Sequence, residues 1–201
     1  MEVEDGEGKP RLWLVPFDRR SPLRQIANVE GRQPKFGPDG DIFFRAAGTV
    51  YRVHADGTAM RKALEQQIHL LKAVSRDGQW LIGSSPLPGN ESSVLQAFPL
   101  AGGPAVQIGG VGLQWNWSPA GDSLSISAGP VGAGRSYLIP LTPGEALPRV
   151  PVGGFRSEEE IAELPGARKI DVLTAVPGPS PDVYAFYRGT MQRNLFRIPL
   201  H

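Results

Sequence analysis

From Gln33 to Lys62, short runs of β-branched and aromatic residues alternate with glycine-containing turns. Asp41-Ile42-Phe43-Phe44-Arg45 and Thr49-Val50-Tyr51-Arg52-Val53 have the make-up of half-buried strands. Pro38-Asp39-Gly40 and Ala55-Asp56-Gly57 carry the Asp-Gly pair of hairpin turns, since glycine takes positive φ without a Cβ clash. Ala46-Ala47-Gly48 links the two runs, Gln33 to Phe36 precede the first turn, and Ala59 to Leu64 follow the second. The pattern predicts four antiparallel strands, here A to D, in about thirty residues.

The unit repeats. Its A–B turn returns as Ser75-Arg76-Asp77-Gly78, as Ser118-Pro119-Ala120-Gly121 and, shortened, as Ser180-Pro181-Asp182. Strand C returns as Leu12-Trp13-Leu14-Val15-Pro16, Leu95-Gln96-Ala97-Phe98-Pro99, Tyr137-Leu138-Ile139-Pro140 and Leu195-Phe196-Arg197-Ile198-Pro199. From Pro16 through His54, Pro99 and Pro140 to Pro199 the spacings are 38, 45, 41 and 59 residues. Three lie near the ~40–45 residues of a four-stranded propeller blade, and the fourth carries an insertion. The fold expected is an all-β propeller of four-stranded antiparallel blades over 11–201, four to five blades' worth.

These residues resemble the TolB-type, WD-repeat-like β-propeller family, whose repeats carry a Ser-Pro-Asp-Gly turn before the second strand. The matching positions are Pro38-Asp39-Gly40 with Ile42-Phe43-Phe44, Asp77-Gly78 with Trp80-Leu81-Ile82, and Ser118-Pro119 with Leu124-Ser125-Ile126. The end, Tyr187 to Leu200, also resembles the close of propellers fused to bacterial serine/threonine kinases or winged-helix regulators. No kinase or winged-helix motif occurs in this chain, so neither activity carries over. The resemblance implies a non-enzymatic module for protein–protein interaction or ligand sensing within a larger bacterial regulatory protein. The alternatives are a catalytic or accessory propeller of the hydrolase or lactonase kind, and a structural spacer.

Arg11–Phe17 and Leu23–Ala27 match strands C and D, so the repeats open partway through a blade. Complete copies are expected at 33–64, 70–108 and 113–150, and strands A to C of another at 170–200. Two arrangements fit this count. The terminal strands close a four-bladed ring, with one C strand in excess, or the chain is a segment of a larger ring. The segment is the better fit, and its open blade edges predict homo-oligomers. Met1–Lys9, acidic and polar, reads as a tail or linker ending near residue 10. Between the last two copies, Ser157 followed by Glu160 is a capping box, and Glu158 and Glu159 suit a first helical turn. A helix of about two turns is expected there, stopped by Pro165-Gly166.

Composition narrows the chemistry. The chain has 201 residues, 25 Gly and 20 Pro, an excess that belongs to turns between short strands. Net charge is +1, and eleven Lys and Arg in the first 62 residues meet nine Asp and Glu, which gives no basic patch for nucleic acid. With no cysteine there is no disulfide, thiolate metal site or cysteine nucleophile. No signal-peptide pattern or membrane-spanning apolar run occurs, so periplasm and cytoplasm both stay open through a parent protein.

No catalytic, cofactor-binding or metal-binding residues are expected. His54, His69 and His201 are scattered, no G-x-S-x-G elbow exists, and Gly129–Arg135 lacks the Gly-Lys-Ser/Thr ending of a phosphate loop. Trp115 and Trp117 share one side of strand A, where Trp117 is expected between blades with Phe36 and Val74 at matching positions. Glu158, Glu159, Glu160 and Glu163 spread around a solvated helix. The longest loops, 86–92, 129–136 and the insertion, all fall on the B–C and D–A side of the disc. Asn90, Glu91, Arg135, Arg156 and Glu159 are therefore the expected binding face, for a protein or small molecule.

Overall fold

The computed structural model describes residues 1–18, 20–86, 92–110, 112–130, 134–180 and 182–187. Five antiparallel sheets follow one another along the chain. The first holds β1 (Glu2–Glu4), β2 (Pro10–Leu14) and β3 (Arg24–Glu30). The second holds β4 (Arg32–Phe36), β5 (Ile42–Ala46), β6 (Thr49–Val53) and β7 (Arg61–Lys62). The third is β8 (Leu70–Val74), β9 (Trp80–Pro86), β10 (Ser93–Pro99) and β11 (Val106–Gly110). The fourth is β12 (Gln114–Trp117), β13 (Ser123–Ala128), β14 (Arg135–Pro140) and β15 (Arg168–Ile170), with helix α1 (Glu158–Ala162) between its last two strands. The fifth is the pair β16 (Val176–Pro177) and β17 (Tyr184–Ala185). Every four-stranded sheet is a meander in chain order, the pattern of a propeller blade.

The turn residues do what the repeat predicts. Ser75 donates its amide to the Trp80 carbonyl, and Ser118 donates to Ser123 in the same way. Gly37 closes the equivalent turn one residue earlier, on Asp41. Asp41 is buried there, and its carboxylate takes the Arg52 guanidinium and, at 2.6 Å, the His54 ring. Burial works to raise its pKa, but those two hydrogen bonds outweigh it and hold the group below the usual carboxylate range.

Alternation along the inner strands gives each seam its own apolar cluster. Leu12, Ile26 and Val29 meet Ile42, Phe44 and Val53 between the first and second sheets. Phe43 and Val50 meet Leu71, Leu81 and Phe98 across the next seam. Ile82, Leu95 and Ile108 meet Trp115, Leu124, Ile126 and Tyr137 across the third, joined by Phe155 and Ile161 of the insertion. Among the described residues the last seam has Leu138, Ile170 and Ala175, with Val172 packed against them.

Four expectations change. Glu2–Glu4 is a strand rather than a tail: β1 pairs with β2, and Arg32 of the next sheet binds Glu2 and Glu4 at 3.0 and 2.9 Å. Cross-sheet charge, and not apolar content, fixes it. Strand D of the fourth sheet is not at Val150 but beyond the helix, where Ser136 pairs with Ile170 and Leu138 with Arg168. Pro143 and Pro148 in the expected stretch lack the amide a ladder needs. The insertion thus lies within a blade, and Ile170 belongs to the fourth sheet. Phe36 is 69% exposed: it stands opposite Ile42, on the side of the second sheet that faces the first, and is not part of the apolar cluster there. The helix is five residues long, ending before Glu163. The C strand expected at 195–200 lies outside the described residues. Among the described residues no helix is long and apolar enough to cross a membrane.

Candidate functional site

The insertion folds back onto the third sheet. Gly153 and Gly154 both take positive φ, and a Cβ on Gly154 would lie 2.5 Å from the Gly109 nitrogen, so only glycine allows the approach. Phe155 then bridges Gly109 in parallel register, with its amide on the Ile108 carbonyl. Gln107 adds a side-chain bond to the Gly153 carbonyl at 2.9 Å. The Phe155 ring is buried and lies 6.1 Å from Trp115.

Beyond Phe155 the chain is held by its cap. Ser157 accepts from the Glu160 amide. The Glu160 carboxylate reaches back one residue past the cap, to the Arg156 amide at 2.8 Å. Arg156 is thereby fixed at the rim, and among the described residues its guanidinium has no partner.

A cavity of about 490 Å³ opens between this insertion, the third-to-fourth sheet connection at Gly110, Gly112 and Leu113, and the end of β13 at Ala128 and Gly129. Its floor is Leu113, Phe155 and Ile161, and its rim carries Arg156, Ser157 and Glu158. Glu158 is half-buried and accepts from the Tyr137 hydroxyl at 3.1 Å and from Arg135 at 3.4 Å. Burial first, and then this carboxylate, push the Tyr137 phenol above its usual pKa. Arg135 also meets Asp171 at 3.3 Å, and its own pKa is raised chiefly by Glu158.

The cavity offers an apolar floor, a free cation and a carboxylate already oriented by two donors. Ser157 is committed to its cap, and among the described residues the lining holds no histidine. Among the described residues no three His, Asp or Glu side chains are grouped to hold a metal.

Of the five expected face residues, Arg156 lines the cavity. Arg135 stands behind it, acting on Glu158, and Glu159 points to solvent with its carboxyl lowered by the Ser157 hydroxyl. Asn90 and Glu91 lie outside the described residues. Glu158, Phe155, Leu113 and Tyr137 were not anticipated, since only the folded insertion brings them together. Trp115 is buried, and Trp117 packs on the same core with its indole N–H on the Ala146 carbonyl at 2.7 Å. His54 serves Asp41, and His69 meets the Ser93 hydroxyl at 2.8 Å.

No family model and no curated protein matches the chain. Among solved structures it is similar to TolB from Acinetobacter baumannii, with a TM-score of 0.50 and 14% identity, over 69% of this chain and 37% of that one. It is also similar to a protein assigned as TolB from Agrobacterium tumefaciens, with a TM-score of 0.48 and 16% identity, over 77% of this chain and 57% of that one. The chain thus spans little more than a third of the first and just over half of the second. The first likeness, with the four-stranded meanders, establishes a TolB-like propeller fold.

Proposed function

We propose that this chain is a non-enzymatic interaction module that holds a segment of a partner protein on its loop face, within a larger bacterial regulatory or sensing protein. The observation that carries this reading is the cavity at the insertion, where an apolar floor lies between the free Arg156 and the oriented Glu158. An apolar side chain of the partner would seat against Leu113, Phe155 and Ile161, and a neighbouring carboxylate would pair with Arg156. In the same reading, further blades of the whole protein cover the exposed Val183, Phe186 and Tyr187.

Selection from a displayed peptide library against the full chain tests it. Enriched peptides should share an apolar residue beside Asp or Glu, and their affinity should fall about tenfold or more for Arg156→Glu, a loss typical of a charged contact. Arg156 is exposed, so the variant keeps the fold. Peptides that bind Arg156→Glu as tightly as the wild type, or no enrichment at all, would overturn the proposal.

A further inference from the structure

The innermost strands of the second and third sheets, β4 and β8, lie against each other, and both depart from regular pairing. In β4 the register shifts between Arg32 and Lys35, and in β8 between Leu71 and Ala73. Each shift inserts one extra residue, a β-bulge, which re-aims nearby side chains. In β8 the extra residue is Lys72 itself, because Leu71 pairs with Gly83 and Ala73 with Ile82.

The bulge in β4 spans Gln33, at φ 57°, and Pro34. It sends the Gln33 side chain across the seam to accept from the Leu71 amide at 2.7 Å, locking the two bulges together. Just past it, Lys35 stands opposite Phe43, on the side of its sheet that faces the third. Two half-buried lysines thus lie on the facing strands β4 and β8 of one seam.

Neither has an ion-pair or hydrogen-bond partner among the described residues, whereas Lys9, Lys62 and Lys169 each have a carboxylate. Burial lowers the pKa of both, and the charge of Lys72 lowers that of Lys35 further. A folded protein gains nothing from two uncompensated ammonium groups held together, and an anion between them would relieve both desolvation and repulsion.

We propose that Lys35 and Lys72 form an oxyanion site at the inner rim, separate from the insertion cavity, that takes a phosphate group. The ammonium groups supply the charge and up to six N–H donors, and the bulges hold their stems in place. Inorganic phosphate and a phosphate monoester offer the same chemistry, so both serve as probes.

Thermal unfolding of the full chain is followed in rising inorganic phosphate, in glycerol 2-phosphate, and in sodium chloride at matched ionic strength. Phosphate should raise Tm saturably beyond chloride, as a ligand that binds only the folded state does. Lys72→Gln should weaken the apparent affinity by about tenfold. Lys35→Gln/Lys72→Gln should lose the phosphate effect while unfolding, without phosphate, no lower than the wild type. An equal shift with glycerol 2-phosphate would identify an esterified phosphate as the ligand class, and a shift with phosphate alone the free ion. A wild-type response no larger than in chloride, or one retained in the double variant, would overturn the site.

Discussion

The fourth sheet is joined to its two neighbours in opposite ways. Toward the third sheet it presents Trp115, Leu124, Ile126, Tyr137 and Ile139, in a cluster of twelve buried residues. Toward the fifth it presents Ser125, Ser127 and Ser136, all fully buried, with a cluster of three buried apolar residues among the described ones. Ser136 donates to the Val172 carbonyl and accepts from the Ala175 amide at 2.8 and 2.9 Å, with the Ser127 hydroxyl beside it at 2.8 Å. One face excludes water by volume, and the other fixes the passing chain by hydrogen bonds. The second face also leaves a cavity of about 360 Å³ lined by Leu138, Pro140, Pro177 and Val183. Packing area gives cohesion, whereas buried hydrogen bonds return only about 1 kcal/mol each net of water.

Matched truncations on the two faces separate these contributions most strongly. Trp115→Ala should cost about 3–5 kcal/mol of unfolding free energy, since its indole is enclosed by the cluster and by Phe155. Leu138→Ala should cost about 2 kcal/mol, the low end for leucine, because the seam around it is already open. Urea unfolding of both variants checks the order, and equal losses would break the contrast.

A titration reaches the apolar seam at its rim. The Tyr137 pKa is raised from the ordinary 10.0, so the folded state keeps a proton that the unfolded state gives up. Its contribution is complete below about pH 10 and is lost as pH rises through the folded value. Tyr137→Phe should cost roughly 1–2 kcal/mol at neutral pH for the bond to Glu158 and should flatten the alkaline limb of the stability profile. The smallest effect is expected on the polar face. Among the described residues the Ser125 hydroxyl is buried without a partner, so Ser125→Ala should be neutral or stabilising by up to about 1 kcal/mol. A loss beyond that would mean the hydroxyl is held after all.

The blades were legible because their signals are local. Asp-Gly turns and the Leu-x-x-x-Pro run of strand C report on the residues beside them, and the second and third sheets form within a few residues of the reading. What failed depends on distant partners. Nothing in Glu2-Val3-Glu4 announces a strand until Arg32 is placed across from it. The outer strand of the fourth sheet, Arg168-Lys169-Ile170, is too short and charged to stand out from a loop. Loop length alone pointed to Arg156. Its companions come from three separate segments, and helical spacing gave no reason to single out Glu158 from Glu159 and Glu160. The difference is that Tyr137 and Arg135, on the neighbouring strand, face one of the three.

The excursion that leaves the fourth sheet after β14 and returns as β15 is fastened on its way to Ile108 and Gly109 of the third. It laces two blades with one thread. Under a pulling force applied to the chain ends, the other sheets can peel away singly, but neither of these can extend while Phe155 remains seated. The third and fourth sheets would therefore yield as one long step in an extension trace, and Gly154→Ala, whose Cβ would lie 2.5 Å from the Gly109 nitrogen and unseat the crossing, would restore two shorter ones.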